Sequence, residues 1–280
     1  FILIACIANI FGDLILVGTF KMGAAGAAYA TVSAQAVSVV FSIVYILRGG
    51  LPFNITKASF KDKNSVKNIL KTGTPIALQD FLTRVSFLIL TAILNSLGLV
   101  ASASIGISEK LFVFLSIIPI SFMSALSAFV AQNTGAGQPD RAVKALKIST
   151  VISFMCGVIV FCATFFFPEI LAAAFEKNPE GIAATASYQR GCAAEHLLIS
   201  IYFCQLGYFN GIGKTGFVMA EGIITAFAVR IPLSYILSRG TNPSLTKIGL
   251  AVPASAAVCL ILCCGYMLYL KRKKKTKFNT

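Results

Sequence analysis

The sequence predicts an all-α polytopic membrane protein. About eight long apolar runs are separated by short polar breaks, and lysine and arginine concentrate in every second break. Composition agrees: 57% of residues are hydrophobic and 12% charged, with a mean hydropathy of +0.83, a balance suited to lipid as solvent. The runs lie at 2–20, 25–47, 75–97, 101–131, 148–175, 184–209, 217–237 and 248–270. Each can cross a hydrocarbon core about 30 Å thick at about 1.5 Å per residue. A transmembrane β-barrel would instead show alternating segments of about ten residues, so helices are expected to satisfy the backbone in lipid.

The first two runs form a helix pair at 1–47. A basic stretch at 48–74 follows as a cytoplasmic linker, and Phe60, Val66, Ile69 and Leu70 among its lysines suit a short interfacial helix. The remaining six runs make one lobe at 75–270, and 271–280 is a basic tail. Pro119 lies deep in the fourth run and is the best candidate for a kink. The chain opens on Phe1 with no initiator Met and no signal-peptide pattern, which reads as a truncated polypeptide.

A net charge of +14 would point to nucleic acid in a soluble protein, but here its distribution points to topology. With alternate breaks assigned to alternate sides, sixteen basic residues fall on the side of the linker and tail, and four (Lys21, Lys177, Arg239, Lys247) on the other. The positive-inside rule makes the first side, with the C-terminus, cytoplasmic. The basic tail then lies against anionic headgroups, and the acidic break with Glu169, Glu176 and Glu180 lies outside. All eight cysteines sit in or beside apolar runs, where a thiol packs as a small hydrophobe, and no metal-ligand spacing occurs. The single histidine, His196, reads as a packed helix residue. The ten residues from Gln132 to Arg141 hold two glycines but lack the Gly-Lys-Ser/Thr ending and flanking strand of a phosphate loop. They read as a tight turn with Asp140 and Arg141 capping or pairing.

There is a faint internal echo, in which Asn9 to Leu16 resembles Arg230 to Leu237 at an offset of about 221. It suggests similar lobes related by an axis along the membrane normal.

Asn9-x-x-x-Asp13, Met22-Gly23-Ala24-Ala25-Gly26, Gly73-Thr74-Pro75-Ile76-Ala77, Gln132-Asn133-Thr134-Gly135-Ala136-Gly137-Gln138-Pro139, Asn210-Gly211-Ile212-Gly213-Lys214 and Arg230-Ile231-Pro232-Leu233 follow one another along the chain. In order and spacing they resemble the MATE (multidrug and toxic compound extrusion) transporters. The resemblance implies a twelve-helix fold in two lobes, of which this chain carries the last two helices of the first and all of the second. It also implies a bacterial cell membrane, a monomer, a small organic substrate, no cofactor and no nucleic acid.

An ionisable side chain inside a span costs at least about 2.5 kcal/mol at mid-membrane, so Asp13 is a functional candidate by default. Asn9 lies one turn away on the same face. Together they offer hard oxygen ligands for a proton or a transient sodium ion. The resemblance adds Thr31 as a third member of this cation-coupling site. The alternative reading has Asp13 near the headgroups, capping its helix.

In the second lobe, Asp80 and Arg84 stand at i,i+4, with Glu109 and Glu195 in later runs. Arg84, Glu109 and Glu195 each fall roughly 15 Å from a helix end, near mid-membrane. They read either as a charge-compensated structural network or as a substrate and proton-relay patch. Where the sodium-coupled vibrio-type branch has acidic residues, this chain has Thr83 and Ser200. The expected function is antiport, exporting amphipathic or cationic organic compounds in exchange for H⁺ or Na⁺. A lipid-linked oligosaccharide flippase of the same superfamily is the alternative, resting on Arg84, Lys110, Arg190 and Arg230. An intramembrane enzyme using Glu109, Glu195 and His196 is more remote, since no nucleophile-base signature or metal motif accompanies them.

Overall fold

In a bilayer no water is available to unpaired backbone groups, and each apolar run accordingly closes its hydrogen bonds along its own helix. The computed structural model describes residues 2–48, 63–95, 98–239 and 244–278, and among these no strand occurs. Contacts divide the chain into two units, Phe1–Lys63 and Asn64–Thr280.

The first unit is a helix pair. Helix α1 (Ile2–Asp13) passes into a π-helical segment, π1 (Leu14–Thr19), and α2 (Gly23–Leu47) returns against both. Small residues set the approach: a Cβ on Gly12 would stand 3.0 Å from the Cβ of Ala30, and one on Gly26 would stand 3.1 Å from the backbone of Leu16.

Helix α3 (Lys63–Asn95), which belongs to the second unit from Asn64 onward, is one helix that continues through Pro75. Residues 63–74, expected in the linker, are therefore its first turns, while the rest of the linker from 49 to 62 lies outside the described residues. The run at 101–131 is two helices, α4 (Leu99–Leu115) and α5 (Ile117–Gly135), separated at Ser116. Pro119 sits three residues beyond that break. Its ring has no N–H for the carbonyl of Leu115 and crowds it, which favours interruption at this place.

Next come α6 (Pro139–Phe166) and α7 (Pro168–Ala173), then α8 (Pro179–Cys192) and α9 (Ala194–Gly211) with a break at Ala193. The seventh tract is α10 (Thr215–Ile224), π2 (Thr225–Arg230) and α11 (Ile231–Ser238). The last is α12 (Leu245–Gly249) and α13 (Ala251–Phe278), which carries the helix into the basic tail. Among the described residues, six helical tracts are individually long and apolar enough to cross a membrane, and 3–19 forms a shorter apolar one. The chain is a multi-pass membrane protein.

The α8–α9 tract is the least apolar of the eight and the most enclosed. Helix α9 packs against α5, α6 and α13, and α8 against α4, α7 and α12. Close approach is again made by glycine. A Cβ on Gly207 of α9 would lie 2.5 Å from the carbonyl oxygen of Met123, and one on Gly157 of α6 would lie 2.7 Å from Ser200 Oγ. Beside Gly157, Ser153 Oγ donates to the Ser200 carbonyl at 2.9 Å. The opposite surface of α6 presents Ile148, Val151, Met155 and Ile159, exposed as a lipid-facing stripe would be.

The turn before α6 differs from expectation in its details. Gly137 takes φ +71° and Gln138 N–H donates to the Asn133 carbonyl at 2.8 Å, closing the end of α5. Asp140 lies in the first turn of α6, where the helix dipole favours it, and Arg141 stands 5.7 Å over the Phe129 ring instead of pairing with it. The same device recurs at Gly213 (φ +73°), with Lys214 N–H donating to the Phe209 carbonyl at 2.8 Å. In the acidic break, the backbone N–H groups of Asn178 and Lys177 hold the Glu176 carboxyl below its usual range. Glu169 accepts a 2.6 Å ion pair from Arg190. The internal echo meets a different register: π1 and π2 begin at Leu14 and Thr225, 211 positions apart, whereas the echo at 221 pairs π1 with the α-helical residues of α11.

Gly207→Ala should destabilise the protein by about 1–3 kcal/mol, because the added methyl meets backbone and cannot be relieved by a rotamer change. Heating the detergent-solubilised protein and following its monodisperse fraction by size exclusion would read this as a lower midpoint than for the same change at exposed Gly216, whose Cβ position is open.

Candidate functional site

The first unit brings two of the three expected cation-site residues into contact. Asn9 Nδ2 donates to Thr31 Oγ1 at 3.4 Å, and Thr31 Oγ1 donates to the Ala27 carbonyl at 2.9 Å. Asp13 lies one turn from Asn9 at the end of α1, and its Oδ1 is buried without a hydrogen-bond partner. It makes no capping bond to the π segment that follows, so capping does not account for it. An amide, a hydroxyl and a carboxyl thus stand on facing helices with acceptor capacity to spare, a hard-oxygen set that fits a proton or a small hard cation.

The second unit forms a half-open cavity of about 500 Å³. Its wall carries all four expected second-lobe residues: Asp80 and Arg84 from α3, Glu109 from α4 and Glu195 from α9. Phe87, Phe112 and Tyr188 supply aromatic surface, and His196 stacks on Phe112 with centroids 6.2 Å apart. Arg84 is committed to Asp80 at 3.2 Å within α3. Glu109 Oε1 accepts from Thr91 Oγ1 at 3.2 Å. Glu195, 4% exposed, lies in the first turn of α9, just beyond the break at Ala193, and lines the cavity. Ser108 Oγ and Gln189 Nε2, on residues that also line the wall, are buried without hydrogen-bond partners. With one arginine already paired, three carboxylates leave the wall net acidic.

The basic residues expected for a flippase do not converge. Of Arg84, Lys110, Arg190 and Arg230, Arg84 alone is among the lining residues. Arg190 pairs with Glu169. Arg230 is half-buried and structural: it stacks 4.6 Å over the Phe87 ring, its Nε donates to Ser255 Oγ at 3.2 Å and its Nη1 to Ser86 Oγ at 3.5 Å. It thereby ties π2 to α3 and α13 and braces Phe87 in the cavity wall. Thr83 lines the cavity and Ser200 is buried against α6, neither acidic.

Sequence reasoning passed over Glu221. It is 1% exposed on α10, Tyr202 Oη donates to its Oε1 at 2.6 Å, and its Oε2 has no partner. The rule that selects Asp13, an acid inside an apolar run, selects Glu221 equally. Its Tyr202 partner on another helix is visible only in the fold.

The MatE family model matches residues 75–236. The chain belongs to the MatE family. Probable multidrug resistance protein YoeA of Bacillus subtilis is 23% identical over 278 residues, 94% of this chain and 58% of that protein. Multidrug export protein MepA of Staphylococcus aureus is 26% identical over 235 residues, 82% and 51%. Among solved structures, MATE in the straight conformation superposes with a TM-score of 0.88 at 18% identity, over 97% of this chain and 62% of that one. A MOP-superfamily transporter from Pyrococcus furiosus, described as having a binding pocket of reversed polarity, gives 0.87 at 17% identity over the same shares. The chain spans about half the length of the curated relatives it matches. Family membership sets aside the intramembrane-enzyme reading of Glu109, Glu195 and His196.

Arg230→Lys should destabilise this MatE chain by about 1.5–3 kcal/mol, since an ammonium cannot stack on Phe87 while bonding two serines. The thermal midpoint of the purified protein checks this, with Arg190→Lys at the exposed pair expected to shift it far less.

Proposed function

We propose that the protein of which this chain forms all or part exports amphipathic, cationic organic compounds across the cell membrane in exchange for H⁺ or Na⁺. The observation that carries the reading is the net acidic, aromatic-lined cavity of the second unit. A hydrophobic cation would bury its apolar surface against Phe87, Phe112 and Tyr188 and gain cation–π contact there. Glu109 and Glu195 would supply the compensating charge in a setting screened from water. The names of the curated relatives, a multidrug resistance protein and a multidrug export protein, point the same way. The sixteen-to-four split of basic residues supports a cytoplasmic C-terminus.

Coupling is assigned to Asp13 with Asn9 and Thr31. A proton or sodium ion there removes the cost of a bare carboxylate among apolar helices, and its release restores that cost. The ion thereby biases the helix pair between two packings with different access to the substrate path. The flippase reading receives less support, because the basic side chains it needs are paired or placed away from the cavity.

Asp13→Asn should abolish gradient-driven efflux while leaving folding intact. The check is transport in proteoliposomes by the longest natural polypeptide that contains this sequence, with proton and sodium gradients imposed separately. Efflux by the variant equal to wild type would remove coupling from Asp13.

Glu195→Gln and Glu109→Gln should each raise KM for a cationic substrate by about 10–100-fold, the equivalent of one lost charged contact, and leave a neutral substrate of similar size unaffected. An equal effect on both substrates would place the two carboxylates in structural support.

A further inference from the structure

Nine buried side-chain polar atoms among the described residues lack a hydrogen-bond partner, and two of them are carboxylate oxygens: Asp13 Oδ1 and Glu221 Oε2. Among the described residues, each carboxylate sits on the one helical tract of its unit that carries a π-helical segment. Asp13 immediately precedes π1, and Glu221 lies one turn before π2. Segments of π-helix inside α-helices recur at functional sites.

The surroundings of Glu221 specify its occupant. From α9, the Tyr202 hydroxyl donates to Oε1 at 2.6 Å. From α13, the thiols of Cys259 and Cys263 approach, and Cys259 Sγ donates to Thr225 Oγ1 at 3.2 Å. Thr225 Oγ1 in turn donates to the Glu221 carbonyl at 2.8 Å. From α3, the Gln79 amide closes over neighbouring Gly222. Arg230, two turns along the same tract, is engaged with Ser86, Ser255 and Phe87. Hard cations take several oxygen ligands, whereas this lining offers two thiols and hydroxyls already engaged as donors. A proton needs only the one free oxygen.

We propose that Glu221 is a second proton-binding site, carried by the second unit independently of Asp13. A proton from water adds to Oε2 and gives a neutral carboxylic acid that still accepts from Tyr202 at Oε1. Release returns the proton to water and leaves a buried carboxylate held by the Tyr202 hydroxyl and, more weakly, by the Cys259 thiol, with Oε2 unpartnered, an unfavourable state that makes the site respond to the proton supply. No other bond forms or breaks.

The test is infrared difference spectroscopy of the longest natural polypeptide containing this sequence, in lipid nanodiscs, between stepped pH values. Expected is a pH-dependent protonated-carboxyl band that is lost in Glu221→Gln, displaced in Tyr202→Phe and retained in Asp13→Asn. The proposal is overturned if wild type shows no such band, or if every band survives Glu221→Gln unchanged. Should that variant fail to fold, bands that keep their positions in folded Tyr202→Phe overturn it equally. The readout needs no substrate, so the expected pattern in a protein that transports nothing would support the site and count against the transport reading alone.

Discussion

The second unit depends on the enclosure of one polar helical tract. Helices α8 and α9 carry Gln189, Glu195, His196 and Gln205, all nearly inaccessible, in a length that must pass through hydrocarbon. Exposed to lipid, such side chains would be costly, and they are tolerated because other helices surround them. Surrounding them requires backbones to approach closely on several sides at once. Glycines 157 and 207 make this possible by leaving room for a neighbouring hydroxyl and carbonyl. The cavity, with its three carboxylates, exists because α9 can be placed centrally without being stripped of its polar groups.

Much of the fold was legible because length and apolarity suffice to define a span. All eight runs are found as apolar stretches, but apolarity does not say which faces meet protein: the buried polar residues of the α8–α9 run do. The interruptions at Ser116 and Ala193 were hidden for a different reason. Neither residue is a helix breaker, and the Ser116 break reflects Pro119 acting backwards along the chain. Candidate residues were legible where local spacing decided their geometry, as with Asn9 and Asp13 or Asp80 and Arg84. The convergence of Glu109 and Glu195 on one cavity, the reach of Arg230 to Ser86, and the Tyr202 bond to Glu221 join residues 19 to 144 positions apart. No periodicity encodes them.

Arg230 shows how a motif residue can be central without touching an occupant. In the sequence it stands in the Arg-Ile-Pro-Leu segment and among the four basic residues of the flippase alternative. Its guanidinium is instead used on two neighbouring helices at once, with a planar face for Phe87 and an edge for Ser86 on α3 and another edge for Ser255 on α13. The cavity wall therefore depends on a cation held behind it, and an acidic interior is balanced from outside the space a substrate would fill.

The π segments carry a consequence for comparing this chain with its relatives. A π turn accommodates more residues than an α turn over the same stretch of axis, so π2 amounts to one residue of slack stored within a span. A related chain lacking that residue could keep the same helix in the same place as unbroken α-helix. Sequence alignments of the family should therefore be allowed single-residue gaps inside 225–230. Positions beyond such a gap, Arg230 included, correspond by their place in space rather than by their count from Glu221.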